Sequence, residues 1–412
     1  FEKVKTGDVI PISDEYCFIV LETPGHTPES CCFALVRSSS SLSQAEMIFT
    51  GDTVFVGSVG RPDLVAGAGL KPEKMAEQMY DSLYTRLESI PDDCEVLPAH
   101  GAGSPCGKSV SKERRSTMGK ERKSNPAFQF YGEKENFIKY LTQGQSKVPE
   151  YFQRVVALNR QPQQVLSSLL DKVVMFDSGD ALLASSATYI VDVRDADAFA
   201  ASHIPSSVNF PVGPSGGVVL RPQDGNFGIW LGRMIPADAS IALVTPPQLE
   251  KDTLKRLARI GYCVDLKRIK GVLRGGYPTY TGKTASYSRA LKDCKCSQSV
   301  TKAIQDAVVI DVRTKGEFAR GHYKPAINHP LSHIDRWCQS LDKKKQYVLY
   351  CASGFRSTIA TSMLRAKGFQ NVVDVYFGFD HIMTIAPDHC VDIHGNPSQT
   401  LCQLKQKKSS EK

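Results

Sequence analysis

The strongest constraint on this chain is that part of it repeats. Tyr189-Ile190-Val191-Asp192-Val193-Arg194 returns 119 residues later as Val308-Val309-Ile310-Asp311-Val312-Arg313. Phe199, His203, Asn209 and Pro211 return at the same offset as Phe318, His322, Asn328 and Pro330. A register held that long marks a duplicated folding unit. Each copy opens on a β-type apolar run ending in Asp-x-Arg, and strand and helix patterns then alternate. The first copy shows them at 240–244, 249–260 and 264–266, the second at 347–350, 358–367 and 372–375. Strands separated by helix-length segments pair in parallel, with helices on both faces of the sheet. The spacing therefore predicts two α/β domains, at 174–283 and 298–390.

The copies differ where a strand hands over to a helix. The second reads Tyr350-Cys351-Ala352-Ser353-Gly354-Phe355-Arg356-Ser357. A cysteine there meets free backbone N–H groups at the positive end of a helix dipole, which favours a thiolate or another anionic sulfur. Gly354 lets the loop curl without steric cost, and Arg356 adds a permanent charge. A lone buried structural cysteine is the competing reading, but Cys-x-x-Gly-x-Arg at a strand-to-helix junction favours chemistry. The loop resembles that of rhodaneses, sulfurtransferases whose cysteine carries a persulfide. The resemblance implies Cys351 and Arg356 as catalytic, with Ala352, Ser353, Gly354 and Phe355 lining the substrate. The first copy has Val244-Thr245-Pro246-Pro247-Gln248-Leu249 instead, with no thiol and with prolines that remove N–H donors. It is expected to be catalytically silent. Its insert at 213–234, with Phe227, Ile229 and Trp230, is expected to pack against a neighbouring domain.

Upstream of the repeat, three β-type runs each end in a metal-binding residue type. They lead into Pro24-Gly25-His26, Thr50-Gly51-Asp52 and Pro98-Ala99-His100. Each alone reads equally as a capped turn or a hydrogen-bonded histidine; together they suggest side chains converging along one sheet edge. Residues 1–165 resemble the second half of a metallo-β-lactamase αββα sandwich, without that fold's earlier His-x-His-x-Asp-His cluster. Phe1 opens mid-domain, so the chain reads as a fragment. Gly51-Asp52-Thr53-Val54-Phe55, Gly60-Arg61-Pro62-Asp63 and the stretch from Ala99 to Gly107 resemble persulfide dioxygenases. That resemblance implies a mononuclear Fe(II) held by His26, Asp52 and a histidine upstream of Phe1, with zinc as the alternative metal. His100 would stand behind the ligands, or bind a second metal as in two-metal hydrolases. Cys106 is close enough in sequence to handle sulfur, and equally reads as a buried loop thiol. Arg61 would steady a substrate carboxylate or form a surface ion pair.

The formal net charge is +8, but the basic residues are scattered apart from a cluster at 108–123 and the C-terminal end. No aromatic pattern accompanies them, so a solvated face is expected first, attraction for anionic substrates next and nucleic acid last. No apolar run approaches the roughly 20 residues that span a bilayer. The 12 cysteines follow no disulfide framework, which points to a reducing compartment, either cytoplasm or mitochondrial matrix. Cys294-Lys295-Cys296 reads as an incidental linker motif rather than half of a metal site. Cys338, Cys390 and Cys402 read as structural or exposed thiols, Gln161-Pro162-Gln163 as an exit linker, and 401–412 as a disordered tail. The domain order resembles fusions of a persulfide dioxygenase with two rhodaneses. Its implied partners are a low-molecular-weight thiol persulfide such as glutathione persulfide, O2, and sulfite or thiosulfate. Assembly as a homo-oligomer stays open, as does a glyoxalase-II-type zinc thioester hydrolase or sulfurtransferase activity alone.

Overall fold

The computed structural model describes residues 3–64, 69–101, 104, 106–107, 110–111, 113–144, 150–159, 161, 166–212, 226–236, 238–262 and 268–396. The expected strand at 264–266, the linker residues Pro162 and Gln163, Cys402 and the expected tail at 401–412 lie outside them. The chain divides into two compact units, Phe1–Gln161 and Pro162–Lys412.

The first unit is built on a sheet whose strands run in the order Val9–Pro11, Tyr16–Glu22, Cys31–Arg37, Met47–Gly51, Glu95–Pro98, Ser116–Thr117. Neighbours are antiparallel except Met47–Gly51 and Glu95–Pro98, which run parallel. In Cys31–Arg37 alternate residues face inward, so Cys32, Ala34 and Val36 are fully buried. They join a core with Met79 from the helix Pro72–Asp81 and Phe137 from the helix Lys134–Thr142. The opposite face carries Phe18 in edge-to-face contact with Phe33 and Phe49. The close packing extends to the turn before His26. A Cβ on Gly25, whose φ is +151°, would lie 2.6 Å from the Met79 Cα. Only glycine lets the helix press this turn into place.

In the second unit each copy forms its own all-parallel sheet. The first is ordered Val208–Asn209, Tyr189–Asp192, Ile241–Val244, Ile269–Leu273, Met175–Phe176, and the second Ile327–Asn328, Val308–Asp311, Tyr347–Tyr350, Val372–Asp374. The parallel sheets expected from the repeat are present, and the duplicated residues are scaffold. Asp311 takes the Arg313 guanidinium through two oxygens, and Arg313 donates on to the Gly321 carbonyl at 2.6 Å. Asp192, Arg194 and Ser202 do the same in the first copy. Each pair thereby ties a strand end to the end of the following helix. Asn209 and Asn328 each donate to the backbone carbonyls of the Asp and the Arg of their own Asp-x-Arg, and His203 and His322 stack on Phe199 and Phe318.

Two sequence expectations need correction. The strand Ile269–Leu273 was not anticipated because Lys270 and Gly271 break its apolar pattern. Gly271 is needed there: a Cβ would lie 2.7 Å from the Val174 carbonyl oxygen. The described part of the insert, the helix Asn226–Met234, packs within its own domain. It rests on the helix Glu250–Arg259, with Phe227 and Leu231 buried and Gly228 facing Ile260. Phe227 and Leu231 thus pack within the first copy itself.

Candidate active sites

The thiol of Cys351 follows the last residue of Tyr347–Tyr350, a strand buried along its whole length at the middle of the sheet. The helix begins at Phe355, three residues earlier than its apolar pattern suggests, because Gly354 at φ +96° closes the loop in a single left-handed step. The Gly354 N–H donates to the Cys351 Sγ at 3.2 Å, and the Ser357 hydroxyl lies 3.7 Å from it. The Cys351 residue is 1% exposed, whereas neighbouring Ser353 is open to solvent.

The loop is held from behind as well. Phe379 N donates to the Cys351 carbonyl and Asp380 N to that of Ala352, both from the start of the helix Gly378–Ile385. A Cβ on Gly378, at φ +62°, would lie 2.5 Å from the Cys351 carbonyl oxygen. Phe377 before it takes φ +53°, a strained value for a non-glycine residue, beside the loop. Arg356 is present as expected, but its charge is shared. Both of its terminal nitrogens donate to Glu317, at 2.9 and 2.6 Å. Burial alone would raise the Glu317 carboxyl, yet Arg356 and the Thr314 N–H hold it down at about 2. Glu317 was missed as a site residue, although Thr314-x-x-Glu317 is a capping-box pattern that the structure contains.

The three expected metal-binding residues of the first unit do come together. His26 Nε2 lies 3.2 Å and His100 Nε2 3.3 Å from the same Asp52 oxygen, Oδ2. The His26 Nδ1 faces the Arg61 carbonyl at 2.9 Å, which can only accept, so Nδ1 is the donor there and Nε2 is the nitrogen turned to Asp52. Among the described residues, the ligand atoms of His26, Asp52 and Cys106 lie within 4.8 Å of one another. An imidazole nitrogen, a thiol and a carboxylate crowded this way fit a bound cation, which would take the place of the proton between His26 and Asp52. Burial would raise Asp52, but the hydrogen bond and charge of His26, then His100, hold it below its ordinary value. Burial first, and then the Asp52 carboxylate, push the Cys106 thiol up. The Arg61 backbone pairs with Cys106 at 2.8 Å, and Gly60 lies against Asp52 and His26 where no Cβ would fit. The Arg61 guanidinium is 2% exposed and grips Asp63 through two 2.7 Å bonds, so it is a buried ion pair rather than a surface one.

Among the described residues, the other singled-out cysteines, Cys294, Cys296, Cys338 and Cys390, are free thiols. Cys338 and Cys390 are buried, and Cys296 caps the helix Ser297–Ile304.

Comparison with known proteins agrees with this layout. The sequence profile of the rhodanese-like domain matches residues 175–279 and 297–383. An uncharacterized protein of Mycobacterium bovis is 32% identical over 104 residues, covering 25% of this chain and 37% of that protein. A hydroxyacylglutathione hydrolase of Hydrogenovibrio crunogenus is 37% identical over 97 residues, covering 24% of this chain and 29% of that protein. The matches thus span about a third of the length of these curated relatives. A solved metallo-beta-lactamase of Staphylococcus aureus is 27% identical with a TM-score of 0.50, covering 66% of this chain and 70% of that one. The chain is a fusion of a metallo-β-lactamase-fold part with two rhodanese-like domains.

Proposed function

We propose that this protein oxidises the outer sulfur of a low-molecular-weight thiol persulfide to sulfite and passes sulfane sulfur through Cys351. The observation that carries the reading is the Cys351 cradle, a thiol under an N–H donor at a helix start and beside Arg356, in the same chain as the His26–Asp52–Cys106 cluster. The first reaction is RSSH + O2 + H2O → RSH + SO3²⁻ + 2H⁺, in which the outer sulfur loses four electrons to dioxygen. In the second, the Cys351 thiolate takes the outer sulfur from RSSH, releasing RSH and leaving Cys351–S–S⁻. Sulfite then attacks that sulfur, freeing the thiolate and forming thiosulfate.

At the cluster, His26 and Asp52 would hold a mononuclear iron(II), with zinc as the alternative. Such an iron would supply the one-electron chemistry that dioxygen needs to react with a sulfur anion. His26 is oriented by its bond to the Arg61 carbonyl, and Cys106, a neutral thiol beside Asp52, can donate a hydrogen bond to an incoming sulfur. At the second site the Gly354 N–H stabilises negative charge on sulfur, and Arg356, held by Glu317, offers its remaining edge to the oxyanion. Joining the two sites in one chain raises the local concentration of sulfite and persulfide.

Oxygen uptake with glutathione persulfide, measured beside bound iron, tests the first activity. Thiocyanate formation from thiosulfate and cyanide, lost in Cys351→Ser, tests the second. A second reading, zinc-dependent thioester hydrolysis, is favoured by the second histidine on Asp52 and by the hydroxyacylglutathione hydrolase relative. It predicts bound zinc and hydrolysis of S-lactoylglutathione with no oxygen uptake. Among the described residues no helix is long and apolar enough to cross a membrane. A cytoplasmic or mitochondrial-matrix location belongs to the same proposal.

A further inference from the structure

We infer that the thiol-less copy acts as a positioning element for its twin, holding the Cys351 loop through a relay Asp197–Arg289–Asp374–Thr358. The inference rests on the reading of Cys351 as the sulfur carrier. Asp197 belongs to the first copy, in the helix Ala196–Ala201, and accepts from Arg289 Nη1 at 2.9 Å. Arg289 lies in the segment joining the copies and is 4% exposed at its side chain. Its Nε and Nη2 donate to Asp374 Oδ2 at 3.1 and 2.7 Å. The same oxygen accepts from the Thr358 hydroxyl at 3.0 Å, and that hydroxyl also lies 2.9 Å from the Gly354 carbonyl. Gly354 is the residue whose N–H donates to the sulfur. Arg289 Nη2 would stand 3.1 Å from a Cβ placed on Gly354, so the guanidinium backs the loop directly.

A second contact shows how fully the silent copy covers this helix. Asn209 N, on the first copy's edge strand, donates to the Ser362 hydroxyl at 2.9 Å. Residues 357–364 are all buried, eight in succession around the full circumference of the helix. A helix on the face of an α/β domain ordinarily leaves one side to water. Here that side, with Ser362, turns to the first copy. The first copy has lost its thiol but keeps the acid that reaches across. Asp197 thereby neutralises part of a buried arginine charge that Asp374 shares, which fixes Arg289 against the loop.

The test is Asp197→Asn in the full chain, with Asp197→Glu as the rescue. Asp197 is one-third exposed at its side chain, so the substitution leaves a folded protein to measure. Two rates are read: iodoacetamide alkylation at Cys351, located by mass spectrometry across about pH 6 to 9, and thiosulfate-to-cyanide transfer. Other charged groups near the loop are Arg356 with Glu317, Asp311 with Arg313, and Asp380. All are unchanged in the variant. Charge alone would move the alkylation midpoint down, because a negative group is lost. A displaced Gly354 N–H moves it up, and lowers alkylation at pH 7 and kcat by about five-fold, the worth of one net hydrogen bond. The expected result is an upward midpoint, lower kcat and recovery in Asp197→Glu. A midpoint that stays or falls overturns the relay, even where the melting temperature drops. Transfer that survives Cys351→Ser would overturn the carrier reading instead, a result independent of the alkylation profile.

Discussion

The Glu317–Arg356 pair ties the sulfur site to a measurable pH dependence of stability. The Glu317 side chain is 24% and that of Arg356 16% exposed, so solvent screens the pair only in part. The carboxyl falls from an ordinary 4.5 to about 2, since Arg356 and Thr314 outweigh its burial. A carboxylate with a depressed folded-state value stabilises the fold above its unfolded value and loses that contribution as pH falls through the folded one. At about 1.4 kcal/mol per pH unit, the contribution is roughly 3 kcal/mol at pH 7, of which roughly 2 is gone by pH 3. Glu317→Gln removes it. Urea unfolding of both proteins in a Trp230→Phe background leaves Trp337, inside the second copy, as the single tryptophan reporter. The stability difference between wild type and Glu317→Gln should be about 2 to 3 kcal/mol at pH 7 and shrink by more than half at pH 3. A difference equal at the two pH values would refute the argument, because loss of packing alone carries no titration.

Gly378→Ala, forced to φ +62° and against the Cys351 carbonyl, should cost about 1 to 3 kcal/mol by thermal melting and remove most thiosulfate-to-cyanide transfer. Normal activity in a stable Gly378→Ala protein would contradict the close approach. His26→Ala should lower bound metal at least ten-fold by elemental analysis, because it removes the nitrogen that faces Asp52. Asp52→Asn removes the carboxylate that, after burial, holds the Cys106 thiol up. In metal-free protein Cys106 should then alkylate faster at pH 8, and an unchanged rate would place Asp52 out of its reach.

The duplication, the parallel α/β build of both copies and the place of the sulfur loop are legible in the amino-acid sequence alone. Those features lie in local patterns: apolar strands ending in Asp-x-Arg, and a Cys-x-x-Gly-x-Arg run at a strand-to-helix junction. The sequence also marked His26, Asp52 and His100, each at the end of a strand. What it could not supply were contacts made across long stretches of chain. The pairing of Arg356 with Glu317 spans 39 residues, and that of Arg289 with Asp374 spans 85. Gly378 and Gly271 read as ordinary turn or breaker residues until the backbone they touch is in place. The strand Ile269–Leu273 escaped because a glycine needed for packing looks, in sequence, like an interruption. Short-range pattern selects each element, because propensity and burial periodicity act over a few residues. Which charge neutralises which, and what braces the sulfur loop, is decided only when folding brings distant residues within bonding distance.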